Sequence, residues 1–297
     1  MARLHPDEIE TDATLVRRLL AAQFPQWADL TITPVVSTGT SNAIYRLGEA
    51  LAVRLPRRPG GEAQVRREAK WLPWLAPRLP TPIPVPQGLG EETEAFAHVW
   101  AVCDWLTGSN PGPAEAASLA FGADLAAAVA ALQAIEAAAG LSPGGPNSRR
   151  GAPLAPRDGA VREALTALAG ELDVSAAARI WDAALAAPPH QGQPVWLHGD
   201  LLAGNILAAD GRLAGLIDFG CLGVGDPACD LMAAWTVLDR PVRAVFREAL
   251  AFDEPAWARA RGWALSVALI QIPYYRLTNP GLTAEAWRTV GEVLADP

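Results

Sequence analysis

Lysine is almost missing from this 297-residue chain: of its 24 basic residues only Lys70 is a lysine. Schiff-base chemistry and the lysine of a GxxxxGK[ST] phosphate loop have one residue to draw on, which nearly excludes both. Cysteine and histidine are scarce as well. Cys103, Cys221 and Cys229, with His5, His98, His190 and His198, form no CxxC, HxxxH or HExxH spacing. A structural zinc site is therefore disfavoured, and a sparse, odd cysteine count fits a reducing cytoplasm. Residues 1–10 lack the apolar stretch of a secretory signal, and no uncharged apolar run reaches about 18 residues, so neither a signal nor a membrane span is expected. Positive charge is also in deficit. The 32 acidic residues leave a formal net charge of −8, which disfavours nucleic-acid and anionic-membrane partners and suits a cationic ligand.

What is present is apolar material, 51% of the chain, enough for a sizeable core. Its texture changes along the sequence. Residues 12–24 read as a short amphipathic helix, with Leu15, Leu19 and Leu20 on one face and Thr11 or Asp12 as cap. Short β-rich runs follow at 30–36, 43–47 and 51–55, punctuated by Gly48 and by a Ser/Thr/Gly loop, which predicts an antiparallel meander. Residues 62–79 read as a helix bent by Pro73, 80–86 as extended, and 95–106 as a further strand. Past a Gly/Ser/Asn/Pro cluster at 107–113, alanine-rich helices dominate: 113–139, 157–169 and 175–186, then 226–238, 241–252, 255–272 and 284–294. The Gly/Pro-rich stretch 140–156 reads as a lid or a plain surface connection. Strands are expected at 195–198 and 213–219.

The densest polar group inside apolar sequence is His198-Gly199-Asp200-Leu201-Leu202-Ala203-Gly204-Asn205, followed by Asp218-Phe219-Gly220. Asp200 just past a strand, Asn205 five residues on and Asp218 at the end of the next strand can bring three oxygen ligands to one point. Two carboxylates and a carboxamide are hard-oxygen donors suited to magnesium, which shares its coordination with substrate phosphates.

These residues match HxDxxxxN followed by DxG, the catalytic loop of the protein-kinase-like superfamily. The stretch Ile217-Asp218-Phe219-Gly220, continuing through Gly223, Gly225, Asp226 and Pro227 to Asp230-Leu231, most closely resembles the aminoglycoside phosphotransferase family. The resemblance runs from about residue 12 to 275. It implies an α+β, protein-kinase-like bilobal fold: a small antiparallel sheet lobe over 1–106 that binds nucleotide, and a larger, mainly helical lobe over 107–297 that carries the catalytic loop and the acceptor site.

It also implies roles. Asp200 would orient the acceptor hydroxyl and take its proton, and Asn205 and Asp218 would hold Mg²⁺ against the phosphates of ATP or GTP. His198, Asp226 and Asp230 would brace the loop. Along 51–55 the strand alternates, so Ala52 and Arg54 share a face; the resemblance puts Ala52 over the nucleobase and Arg54 where kinases carry a lysine. Arginine keeps the charge and can grip phosphate oxygens bidentately. Glu68 stands where the family's ion-pair glutamate lies, and Lys70, two residues on, points elsewhere on the helix. Gly39, Thr40, Ser41 and Asn42 occupy the phosphate-covering loop. Trp235, Tyr274 and Tyr275 are candidates for the acceptor wall, with core packing the better expectation for Trp235.

After Asp200 comes Leu-Leu, not the lysine of protein kinases, and 220–226 leaves no room for an activation segment, so a small hydroxylated acceptor is expected. An aminoglycoside is the most concrete reading, with Asp158, Glu163, Asp230, Asp239 and Glu285 available for a polycation. A kinase of another antibiotic, a macrolide or a nucleoside, or of a hydroxylated metabolite stays open, as does a nucleotide-binding pseudokinase. The expected partners are a nucleoside triphosphate and a small molecule, without nucleic acid or membrane, and the expected state is a monomer or weak dimer.

Overall fold

The computed structural model describes residues 7–36, 39–137 and 147–296. The chain opens with α1 (Ala13–Gln23), whose first turn is capped by the Asp12 carboxylate accepting from the Leu15 amide at 2.6 Å. Its buried face, Leu15, Val16, Leu19 and Leu20, packs on a five-stranded antiparallel sheet with Tyr45, Leu47, Val53 and Leu55. Burying each such aliphatic side chain contributes roughly 2 kcal/mol, which fastens the helix to the sheet.

The sheet runs in the order β1 (Ile32–Pro34), β2 (Asn42–Leu47), β3 (Leu51–Pro56), then β5 (Trp100–Asp104) and, at the edge, β4 (Pro86–Gly90). In register Leu47 faces Leu51, so the β2–β3 turn closes at once, and Gly48 takes the left-handed φ of 59° this requires. Between β3 and β4 lies α2 (Glu62–Leu75), which keeps its helix through Pro73 and ends two residues later. The predicted meander is present; β4 was not expected, because a Pro/Gly-rich run reads as loop until a neighbouring strand supplies its partners.

The helical part contains α3 (Pro113–Ala116), α4 (Leu119–Ala134), α5 (Asp158–Ala167) and α6 (Val174–Ala186), then α7 (Ala228–Leu231), α8 (Ala233–Thr236), α9 (Arg240–Leu250), α10 (Glu254–Tyr275) and α11 (Pro280–Ala295). The helix expected over 113–139 is broken where the Ser118 hydroxyl accepts from the Phe121 amide and starts α4 afresh. The long α10 is buried along most of its length and packs against α5, α6, α7 and α11. Among the described residues, no helix is long and apolar enough to cross a membrane.

Two small antiparallel ribbons lie within this helical part. β6 (Val195–Leu197) pairs with β9 (Gly223–Gly225), and β7 (Ile206–Ala209) with β8 (Arg212–Leu216). The 198–205 loop thus runs from one ribbon to the other, and 217–222 returns beside it. The Ile217 amide donates to the Asn205 carbonyl at 2.9 Å and ties the two loops together.

Candidate active site

A buried carboxylate organises the first loop. Asp230, wholly buried at the start of α7, accepts the backbone N–H groups of both His198 and Gly199 at 2.7 Å. Burial pushes its carboxyl up from the usual range, against the pull of the two backbone amides. Gly199 turns at a φ of 83° so close to the second loop that a Cβ would come within 2.5 Å of the Cys221 carbonyl oxygen. The His198 ring is used on both nitrogens: Nδ1 accepts from the Asp200 amide at 3.2 Å and Nε2 donates to the Ile217 carbonyl at 3.0 Å. That pattern suits one neutral tautomer and leaves no nitrogen free to take a proton from a substrate.

Asp200 stands at the open side of this frame, its side chain 23% exposed. Arg150 donates to its Oδ1 at 2.7 Å, and the Asn205 amide nitrogen donates to its Oδ2 at 3.1 Å and to its backbone carbonyl at 2.8 Å. With the nitrogen so engaged, Asn205 keeps Oδ1 as a donor atom for a cation. Asp218 has a left-handed φ of 57°, which is uncommon for a non-glycine residue, and its Oδ1 accepts from the Gly220 amide at 3.3 Å.

From the sheet, Arg54 reaches the same place. Its Nη1 donates to Glu68 Oε2 at 2.5 Å and its Nη2 lies 3.6 Å from Asp218 Oδ1, with Arg54 and Glu68 both buried. Burial alone would push the guanidinium down; the Glu68 carboxylate, helped by Asp218, more than offsets this and holds it above the usual arginine range. The strand alternation is the cause: Val53 and Leu55 enter the core under α1, so Ala52 and Arg54 face a cleft of about 270 Å³ together with Asn42, Cys103, Asn205 and Asp218.

A model of the phosphotransferase enzyme family (APH) matches residues 32–263. The chain belongs to that family. An aminoglycoside 3'-phosphotransferase of Escherichia coli is 35% identical over 63 residues, a match spanning 21% of this chain and 23% of that protein. Among solved structures, the GDP complex of a variant of aminoglycoside 2'-phosphotransferase-IIIa superposes with a TM-score of 0.70 at 19% identity, covering 95% of each chain. The macrolide 2'-phosphotransferase MphH of Brachybacterium faecium does so with a TM-score of 0.59 at 24% identity, over 96% of this chain and 98% of that one. These likenesses show the fold, an α+β kinase-like arrangement.

Gly39 and Asn42 line the cleft, Ser41 presents its carbonyl to the Arg57 amide at 2.9 Å, and Ser37 and Thr38 lie outside the described residues. Thr40 is hydrogen-bonded to the Tyr275 hydroxyl, so the end of α10 reaches the loop before β2; burial raises the Tyr275 phenol while that bond opposes it. Tyr274 is exposed and stacks edge-on against Tyr275 at 4.6 Å. Asp226 pairs with Arg259 at 2.6 Å and accepts from the Ala228 amide at 3.0 Å. Lys70 is exposed beside Trp71, away from Glu68.

Of the acceptor-wall candidates, Trp235 takes the core role and is withdrawn from the wall. It is buried in the helical core against Trp257, its Nε1 donates to Asp296 at 3.0 Å, and it forms no part of an acceptor wall. Its place on α8, facing α9 and α11, decides this. Two of the five acidic candidates are engaged: Asp158 accepts from Arg162 and Trp181, and Asp230 from two backbone amides. Glu285 alone of them lines a narrow crevice beside Leu202.

Contacts made by four residues, Arg150, Gly151, Arg67 and Asn110, are not marked in the sequence. Arg150 lies in the Gly/Pro-rich stretch, held by Asn147 donating to the Arg150 and Cys221 carbonyls at 3.2 and 3.3 Å. The Asp226 amide donates to Gly151 at 2.9 Å, and a Cβ on Gly151 would meet Leu197 at 2.4 Å. The part 147–151 is thus pinned rather than a lid, with Ser148 and Arg149 in left-handed conformations at φ 59° and 58°. Arg67 on α2 donates to the Gly220 carbonyl at 2.5 Å, and Asn110 to the carbonyls of Ala203, Gly204 and Ile206 at 2.9 to 3.3 Å. No residue spacing marks any of them.

The donor set fits a hard cation. Asn205 Oδ1 and the Asp218 carboxylate are oxygen ligands without nitrogen or sulfur, and two protein ligands leave positions for phosphate oxygens and water, as Mg²⁺ prefers. When bound there, such an ion would neutralise charge on the nucleotide phosphates.

Proposed function

We propose that the chain is a small-molecule kinase that transfers the γ-phosphate of ATP or GTP to a hydroxyl of its acceptor, with Mg²⁺ held by Asn205 and Asp218. The observation that carries this reading is that Arg54, paired with Glu68 behind it, lines one cleft with Asn205 and Asp218, while Asn205 donates to the adjoining Asp200 carboxylate. In it residues 1–106 serve the nucleotide and 107–297 the acceptor. Ala52 packs over the nucleobase, Arg54 steadies phosphate oxygens, and the loop around Gly39, Thr40, Ser41 and Asn42 covers them. Asp200 accepts the hydroxyl proton as the acceptor oxygen bonds to the γ-phosphorus and the bond to the β-phosphate oxygen breaks. Its Oδ1 is fixed by Arg150 and its Oδ2 by Asn205, so the carboxylate is oriented before substrate arrives. His198 and Asp230 position the loop without touching the reacting atoms.

The GDP, ATP, aminoglycoside and macrolide associations of the structural neighbours support a nucleotide donor and a hydroxylated acceptor of antibiotic or metabolite size. The test is nucleotide consumption with Mg²⁺ against aminoglycosides, macrolides, nucleosides, sugars and hydroxy acids, followed by mass analysis of the product. Acceptor-dependent consumption with a phosphorylated product is expected. Tight nucleotide binding with no turnover on any acceptor would replace the kinase by a nucleotide-binding scaffold.

A further inference from the structure

Beside Asp200, on the side formed by α5 and α10, the charge is positive. Arg150 is buried and spends one nitrogen on Asp200, while its Nε and Nη1 are buried without a partner. Arg157, at the start of α5, lies over the same Trp263 ring as Arg150, at 5.0 and 5.7 Å from its centroid. Arg157 donates through Nε to the Ser266 hydroxyl at 3.0 Å, and no carboxylate forms an ion pair with it among the described residues. Burial, with the adjacent Arg150 charge added, pushes its guanidinium down to about 10.

Residues 1–6, 37–38, 138–146 and 297 contain no aspartate or glutamate, so every acidic side chain is among the described residues. The neighbouring Asp158 is engaged with Arg162 and Trp181. A largely buried guanidinium without its own carboxylate is costly to keep, and its terminal nitrogens, unlike those of Arg150, are not sealed off. Contact with an aromatic face offsets only part of that cost.

We infer that Arg157 recognises an oxyanion on the acceptor, so that the substrate is a hydroxylated small molecule bearing a carboxylate or phosphate group, not a polycation. This rests on the kinase reading and narrows its acceptor. The transfer is unchanged: the hydroxyl proton goes to Asp200, the new bond joins the acceptor oxygen to the γ-phosphorus, and the nucleoside diphosphate leaves. Arg157 balances charge on the acceptor and touches none of these atoms. On this inference the net charge of −8 does not select the acceptor; the charge beside Asp200 does, and there Arg150 and Arg157 share one Trp263 ring.

The experiment pairs each anionic acceptor with a neutral twin: hydroxy acids with their amides, sugar phosphates with the parent sugars, and aminoglycosides as the cationic arm. Wild-type chain and the Arg157→Gln and Arg157→Lys variants are compared with Mg²⁺ and ATP or GTP. Turnover is expected on an anionic member and to be weak on its twin; the carboxylate and phosphate pairs show which oxyanion is read. Arg157→Gln should raise that acceptor's KM about tenfold or more, with nucleotide KM within about twofold, and Arg157→Lys should restore part of the loss. Equal or better turnover of neutral or cationic acceptors would overturn the inference and leave the kinase intact. No turnover on any acceptor would overturn both, and nucleotide binding measured alongside would show that the protein tested was folded.

Discussion

Two buried arginines approach the catalytic loop from opposite sides and are treated differently. Arg54, from the sheet, meets Glu68 at 2.5 Å and Asp218 at 3.6 Å, so its charge is compensated inside the protein. Arg150, from the helical part, has only Asp200 and stands next to Arg157, which has no carboxylate of its own. A compensated cation is locked in place, which suits the phosphate-anchoring role proposed for Arg54. A site with surplus positive charge is completed by what binds to it. In the proposed function the nucleotide side is thus preorganised from within, and the acceptor side leaves a charge for its ligand to balance.

The strongest way to break this comparison is to remove the frame both sides share. Asp230→Ala leaves the His198 and Gly199 amides buried and unpaired, and the expected loss is about 4 kcal/mol of stability, read as a shift of the denaturant midpoint. A change under about 1 kcal/mol would mean that the loop is held by other contacts. Arg54→Ala attacks one side alone. It strands the buried Glu68 and should raise nucleotide KM by about 100-fold while acceptor KM moves little; Arg54→Lys should recover much of the loss. An unchanged nucleotide KM would move the phosphate anchor elsewhere. The smallest effect is expected from Tyr275→Phe, which loses the bond to Thr40 that ties the helical part to the loop before β2. About a fivefold rise in nucleotide KM is expected, read from initial rates, because one hydrogen bond of about 1 kcal/mol is removed.

Much of the nucleotide side was legible in the sequence because it is built from local periodicity. Alternation along 51–55 puts Ala52 and Arg54 on one face toward the cleft, and the helix starting at Glu62 carries Glu68 to Arg54. The polar loops at 198–205 and 217–220 announce themselves as charged and amide residues between apolar strands. The acceptor side was not legible. Arg150 lies 50 residues before Asp200, in a stretch without periodicity, and its position depends on Gly151 meeting Gly225 so closely that a Cβ on Gly225 would come within 2.5 Å of the Gly151 carbonyl oxygen. The short strands β4 and β9, rich in glycine and proline, exist because partners pair with them, and propensity cannot see a partner. Trp235 looked available for a ligand because an aromatic residue beside a catalytic motif does not reveal which way its helix faces; the ring sits in the core.

The central claim is that Asp200 acts in the transfer step and not in holding the nucleotide. Asp200→Asn keeps the shape and a hydrogen-bonding oxygen but cannot accept the proton. Measured on one preparation, its acceptor-dependent phosphoryl transfer should fall by about a thousandfold while its nucleotide Kd stays within about threefold of wild type. Transfer retained near the wild-type rate, or nucleotide affinity lost in step with transfer, would contradict the account.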